Sequence, residues 1–92
     1  MFRNYDDPLY KKFRQQVKTR DKYRCQWPGC NASKKLHVHH IKRWSDSIDL
    51  RYHIDNGLTL CKFHHQLING NETSYEAVFY KIIADKKLHD KQ

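Results

Sequence analysis

Four residues constrain this chain more than any other feature. Cys25 and Cys30 enclose the turn dipeptide Pro28-Gly29, and Cys61 is followed three positions later by His64. Two such knuckles bring soft and borderline ligands to one point and suit a closed, tetrahedral zinc ion. His65 competes with His64 for the fourth place, and the plainest alternative makes Cys25 and Cys30 small residues of an ordinary turn. Composition weighs toward the metal. The 92 residues are 38% hydrophobic and 30% charged, and so small a core supplies only about 3–5 kcal/mol without a staple. Three cysteines cannot all pair within one chain, and a reducing cytosol disfavours structural disulfides. A zinc ion with four protein ligands has no open position, so this one would hold the fold and do no chemistry. One domain spanning residues 1–92 is expected, because a chain this short rarely divides.

The net charge is +8, and one zinc ion with three thiolates would change it by a single unit. A polyanionic partner is implied, nucleic acid first. No apolar run approaches a membrane span, and the start MFRNYDDPLYKK lacks the apolar core of a signal peptide. A cytoplasmic protein with no membrane partner is expected.

Asp7-Pro8 reads as an N-cap followed by proline in the first turn, with Leu9, Phe13 and Val17 as the apolar stripe. This predicts a helix from about Pro8 to Lys22. Lys11, Arg14, Lys18 and Lys22 form a basic stripe on its far side, a candidate phosphate contact whose bland alternative is a solvated face. Leu36–Ile41 and Leu58–Cys61 have strand composition, and the Asp- and Ser-rich segment between them, with Asn56-Gly57, predicts a hairpin with a long excursion. Lys62–Ile68 predicts a short helix stopped near Asn69-Gly70. Thr73-x-x-Glu76 reads as a capping box opening a packing helix over about 74–88, with Tyr75, Val78, Phe79, Ile82 and Ile83 inward and the last residues frayed.

Once zinc takes its ligands, His37, His39, His40, His53, His65 and His89 remain. Imidazoles clustered near a strand end and a helix start suggest a second, open metal site. The segments LHVHHIKRW and DNGLTLCKFHHQLING together resemble the HNH endonuclease family, whose ββα-metal motif has a histidine on the first strand, a central asparagine and a final helix histidine. The likeness covers roughly residues 20–70. The basic first helix and KYRCQ are similar to small zinc-containing phage and bacterial members.

The resemblance implies an α+β fold: a small ββα-metal core stapled by zinc, with flanking N- and C-terminal helices. It implies that His40 is the general base, that His39 and His65 ligate a catalytic divalent ion, and that Asn56 constrains the loop and orients the base. His39 stands where many members have Asp, which shifts the expected ion from Mg²⁺ toward Mn²⁺, Ni²⁺ or Co²⁺. His64 stands where many have a second Cys, which implies a Cys25, Cys30, Cys61, His64 zinc site. In an ideal strand His39 and His40 point to opposite faces, so β-structure is expected to end or bulge there. Arg43, Trp44, Arg51 and Tyr52 lie in the excursion, Arg43 and Arg51 as candidate DNA contacts and Trp44 as packing.

The expected function is metal-dependent DNA cleavage leaving 5′-phosphate and 3′-hydroxyl ends, with phosphate contacts dominating affinity. The phage likeness also implies a packaging role beside a terminase, or homing, in a host cytoplasm. The competing reading is a zinc-stabilised DNA-binding module without catalysis. A protein-interaction adaptor would leave the charge unexplained.

Overall fold

The computed structural model describes residues 7–42 and 48–90. Helix α1 (Pro8–Arg20) begins as its sequence predicts: the Asp7 side chain accepts from the Leu9 backbone N–H at 2.9 Å, and Pro8 occupies the first turn. It ends two residues before Lys22, because Asp21 caps it and Lys22 and Tyr23 take left-handed φ values of 56° and 55°. The buried stripe is Tyr10, Phe13 and Val17, whereas Leu9 is 59% exposed. Tyr10 in place of Leu9 turns the inward face by about a third of a residue step toward the cations. At about 100° per residue, Arg14 now borders the buried stripe, while Lys18 and Lys11 stay on the far half of the helix. Lys22 stands beyond the helix altogether.

Strands β1 (Leu36–His40) and β2 (Gly57–Cys61) pair antiparallel, with Leu36 opposite Cys61 and His40 opposite Gly57. The long excursion between them includes 3₁₀ turns at Ile48–Leu50 and Ile54–Asn56. Asn56-Gly57, expected in the loop, instead forms the seam where that turn meets β2. Side chains alternate across the ladder. Gly57 faces Phe13 and Val17 of α1, while Leu58 and Leu60 join Cys25, Ile41, Ile68, Phe79 and Ile83 in the main core.

Helix α2 (Lys62–Leu67) follows directly and stops at Ile68, as predicted. Helix α3 (Glu76–Asp90) is preceded by a 3₁₀ turn, Glu72–Tyr75. The predicted capping box does not form. Thr73 lies inside the 3₁₀ turn, Glu72 turns back to accept from the Gly70 N–H at 2.7 Å, and Glu76 pairs with Lys42. Phe79 and Ile83 are buried and Tyr75 and Ile82 half-buried, but Val78 is exposed, and Tyr80 turns inward in its place. The helix continues through Asp90 where fraying was expected.

One polar tie joins these layers. The Arg20 guanidinium bonds the Asp21 carboxylate and donates to the carbonyls of Ile54 and Gly57 at 2.8 and 2.6 Å. Asp21, fully buried, also accepts from the Thr59 N–H at 2.9 Å and lies 3.4 Å from the Lys86 ammonium. The end of α1 is thereby fastened to β2 and α3. Among the described residues the architecture is α+β, a two-stranded antiparallel sheet with three α-helices. No helix among them is long and apolar enough to cross a membrane.

Candidate metal centre and histidine cluster

The first knuckle is a tight turn: the Cys30 N–H donates to the Trp27 carbonyl at 2.8 Å, and Gly29 supplies the required positive φ of 83°. The turn is pinned to the hairpin by the Gln26 N–H, which donates to the Thr59 carbonyl at 2.9 Å. Cys61 ends β2 and caps α2, so His64 returns over it one turn later. The ligating atoms of Cys25, Cys30, Cys61 and His64 all lie within 4.8 Å of one another. His64 Nδ1 is 3.3 Å from Cys61 Sγ and 3.7 Å from Cys25 Sγ. A tetrahedral zinc with Zn–S near 2.3 Å and Zn–N near 2.05 Å sets sulfur–nitrogen separations of about 3.5 Å. The donor set fits that ion, and it selects His64 over His65.

Trp27 covers the His64 ring in parallel, with centroids 4.6 Å apart and planes at 9°. Burial pushes the Cys25 thiol up to about 11. Burial also pushes at Cys61, but there the backbone N–H groups of His64 and Phe63 and the bonds from Cys25 and Cys30 outweigh it and lower the thiol. Thiols crowded this way need a cation before all three can ionise. Among the described residues no second set of three or more His, Cys, Asp or Glu converges as closely.

The surplus histidines divide between the two faces of β1. His39 lies beside His65 with ring centroids 5.7 Å apart, and Phe79 meets it edge-on at 5.5 Å. His37, two residues earlier on the same face, stacks on His65 at 5.1 Å and 13°. The resemblance gives His37 no role, though its period-two spacing from His39 places both on one strand face. His40 faces the other way. It is 5% exposed, stacked on Phe13 at 4.8 Å, and its Nε2 lies 2.8 Å from the Arg51 carbonyl. The ladder is regular through both residues and ends at His40, so no bulge brings the two rings to one side. A carbonyl only accepts, so the neutral His40 ring carries its proton on Nε2 and its basic lone pair on Nδ1.

Behind His40, buried Asn56 staples the exit of β1. Its Oδ1 accepts from the Lys42 N–H at 2.7 Å and from the Tyr80 hydroxyl at 3.0 Å, and its Nδ2 donates to the carbonyls of Lys42 and Leu50 at 3.1 and 3.2 Å. Tyr80 and the Lys42–Glu76 pair had no mark in the sequence, because their partners lie in other elements. His53 is local: its Nδ1 accepts from the Asp55 N–H at 3.2 Å.

Of the basic residues, Lys11 and Lys22 are exposed. The Arg14 guanidinium sits 6.0 Å from the Tyr10 ring centroid. Burial, with help from the Arg14 charge, lowers the Lys18 ammonium. Arg51 is half-buried, and its carbonyl serves His40. Tyr52 donates to the Asp7 carboxylate at 2.9 Å, closing the excursion over α1. Arg43 and Trp44 lie outside the described residues, as does the side chain of His89. No protein-family profile, curated protein or solved structure matches this chain.

Proposed function

We propose that this protein is a metal-dependent DNA endonuclease of HNH type, hydrolysing phosphodiester bonds to 5′-phosphate and 3′-hydroxyl ends. The observation that carries the reading is the pairing of His39 with His65 at the junction of hairpin and helix, separate from the closed Cys25, Cys30, Cys61, His64 group. Zinc in that group would hold α2 on the hairpin and thereby keep His65 facing β1. His39 and His65 would hold the second ion. A divalent ion there supplies charge against the scissile phosphate and the departing 3′ oxygen. The two imidazoles favour Mn²⁺, Ni²⁺ or Co²⁺ over Mg²⁺.

His40 is the assigned general base. The Arg51 carbonyl holds the Nε2 proton, so Nδ1 takes the proton of the attacking water at neutral pH. Asn56 fixes the chain immediately beyond His40 and acts as a positioning residue. Lys11, Arg14, Lys18, Lys22 and Arg51 supply phosphate affinity that falls with salt.

A second reading, a zinc-stabilised DNA-binding module without catalysis, is favoured by the burial of His40 on the face away from His39. A plasmid-nicking assay separates them, using zinc-loaded protein with Mg²⁺, Mn²⁺, Ni²⁺ or Co²⁺ added singly. Because His40 packs on Phe13, His40→Gln is a better variant than alanine: it keeps bulk and a donor for the Arg51 carbonyl. Nicking by the wild type should fall about 100-fold or more in His40→Gln and in His65→Ala, with DNA binding retained. Unchanged nicking in both variants would overturn the assignments. Binding without nicking under any ion would select the module.

A further inference from the structure

We propose that Phe63 is a base-stacking platform, and that the preferred DNA carries an unstacked base near the site of cleavage. The inference takes the ligand's identity from the nuclease reading. Phe63 is 68% exposed, more than any other described large hydrophobic residue, and Leu67, one turn later on the same side of α2, is 49% exposed. The Phe63 ring meets the His64 ring at its edge, with centroids 5.0 Å apart, and His64 holds α2 to Cys61 and Cys25, so the exposure of Phe63 is not a failure of α2 to dock. Three exposed lysines gather at the start of α2. Lys62 precedes Phe63, and the Lys62 N–H donates to the Lys35 carbonyl at 2.8 Å, bringing Lys34-Lys35 to the start of α2.

A flat exposed aromatic ring on a helix whose start gathers three exposed lysines matches a nucleotide, whose base stacks while its phosphates pair. A protein-docking face is a poorer match, because the cores of such faces are depleted of lysine. Phe63 and His65 are two residues apart and so lie on opposite sides of a helix about 10–12 Å across. A base on Phe63 would therefore belong to a nucleotide one or two positions from a phosphate held at His39 and His65. Intact duplex hides its base faces, whereas gapped, flapped or branched DNA offers one.

The test is fluorescence anisotropy of zinc-loaded protein, without other divalent ions, on a labelled duplex and on the same duplex carrying a short gap. The wild type should bind the gapped form more tightly. Phe63→Ala should lose about 5- to 100-fold on the gapped form and little on the duplex, while Phe63→Tyr should keep the preference. Zinc content checks each fold, and Phe63→Leu, which keeps apolar bulk without the flat ring, carries the test if alanine loses zinc. No preference in the wild type, or a preference that survives Phe63→Ala, would overturn the proposal. So would self-association abolished by Phe63→Ala with DNA binding unchanged, which would give the face to a second copy. Nicking measured in parallel separates the two claims: cleavage indifferent to Phe63 leaves the nuclease and removes the platform, and Phe63-dependent gap binding without cleavage does the reverse.

Discussion

At Gly57 an added Cβ would lie 2.6 Å from Val17 Cγ2 and 2.7 Å from Phe13 Cζ, closer than side chains approach. Its backbone, at φ −117°, suits any residue, so space alone requires glycine. Phe13 and Val17 are fully buried and have nowhere to move. Gly57→Ala should destabilise the fold by about 1–3 kcal/mol through overpacking, seen as a lower urea midpoint with zinc content unchanged. An unaltered midpoint would mean that α1 does not seat there. Asp21 is the polar counterpart. Asp21→Ala leaves the Arg20 guanidinium and the Thr59 N–H without their buried acceptor and should cost about 3–5 kcal/mol, enough to unfold most molecules of a domain this small. Neither residue stood out in the sequence, since a glycine after asparagine reads as a turn and an aspartate after a helix reads as a surface cap.

The hairpin and its excursion depend on Asn56, which binds Lys42, Leu50 and Tyr80 from three separate segments. Asn56→Asp replaces the Nδ2 donor with an acceptor facing two carbonyls and should destabilise strongly. Tyr80→Phe removes one neutral hydrogen bond and should cost only about 0.5–1.5 kcal/mol. Hydrogen exchange provides the check: amide protection across Ile41–Lys42 and Ile54–Asn56 should collapse in Asn56→Asp and fall modestly in Tyr80→Phe. Equal protection in all three proteins would remove Asn56 from the account of the loop. At this scale the element types were legible, because caps, alternation and turn residues are local signals. Faces were less so. Leu9 and Val78 were expected inward and are exposed, because a helical pattern tolerates a turn of some tens of degrees about its axis and only the partner surface selects among the candidates.

For the whole molecule the Cys25, Cys30, Cys61, His64 group ties a turn, a strand end and a helix into one unit. Zinc bound there would staple all three, so treating zinc-loaded protein with EDTA, or replacing Cys61 with serine, should lower the melting temperature and zinc content together. A melting temperature indifferent to both would remove zinc from the account of the fold. The sequence by itself determined the α+β element order, the two knuckles and the excess of positive charge, since each follows from spacing and composition along the chain. Strand alternation already set His40 apart from His37 and His39, and tertiary structure alone decided what each face meets: His65 beside His37 and His39, Phe13 of α1 beside His40, and His64 and not His65 at the cysteine group. Those outcomes depend on how α2 and α1 seat against opposite faces of the sheet. The seating of α1 is set by the close approach at Gly57 and the buried tie at Asp21, and that of α2 by His64 at the cysteine group, contacts that join separate segments of the chain.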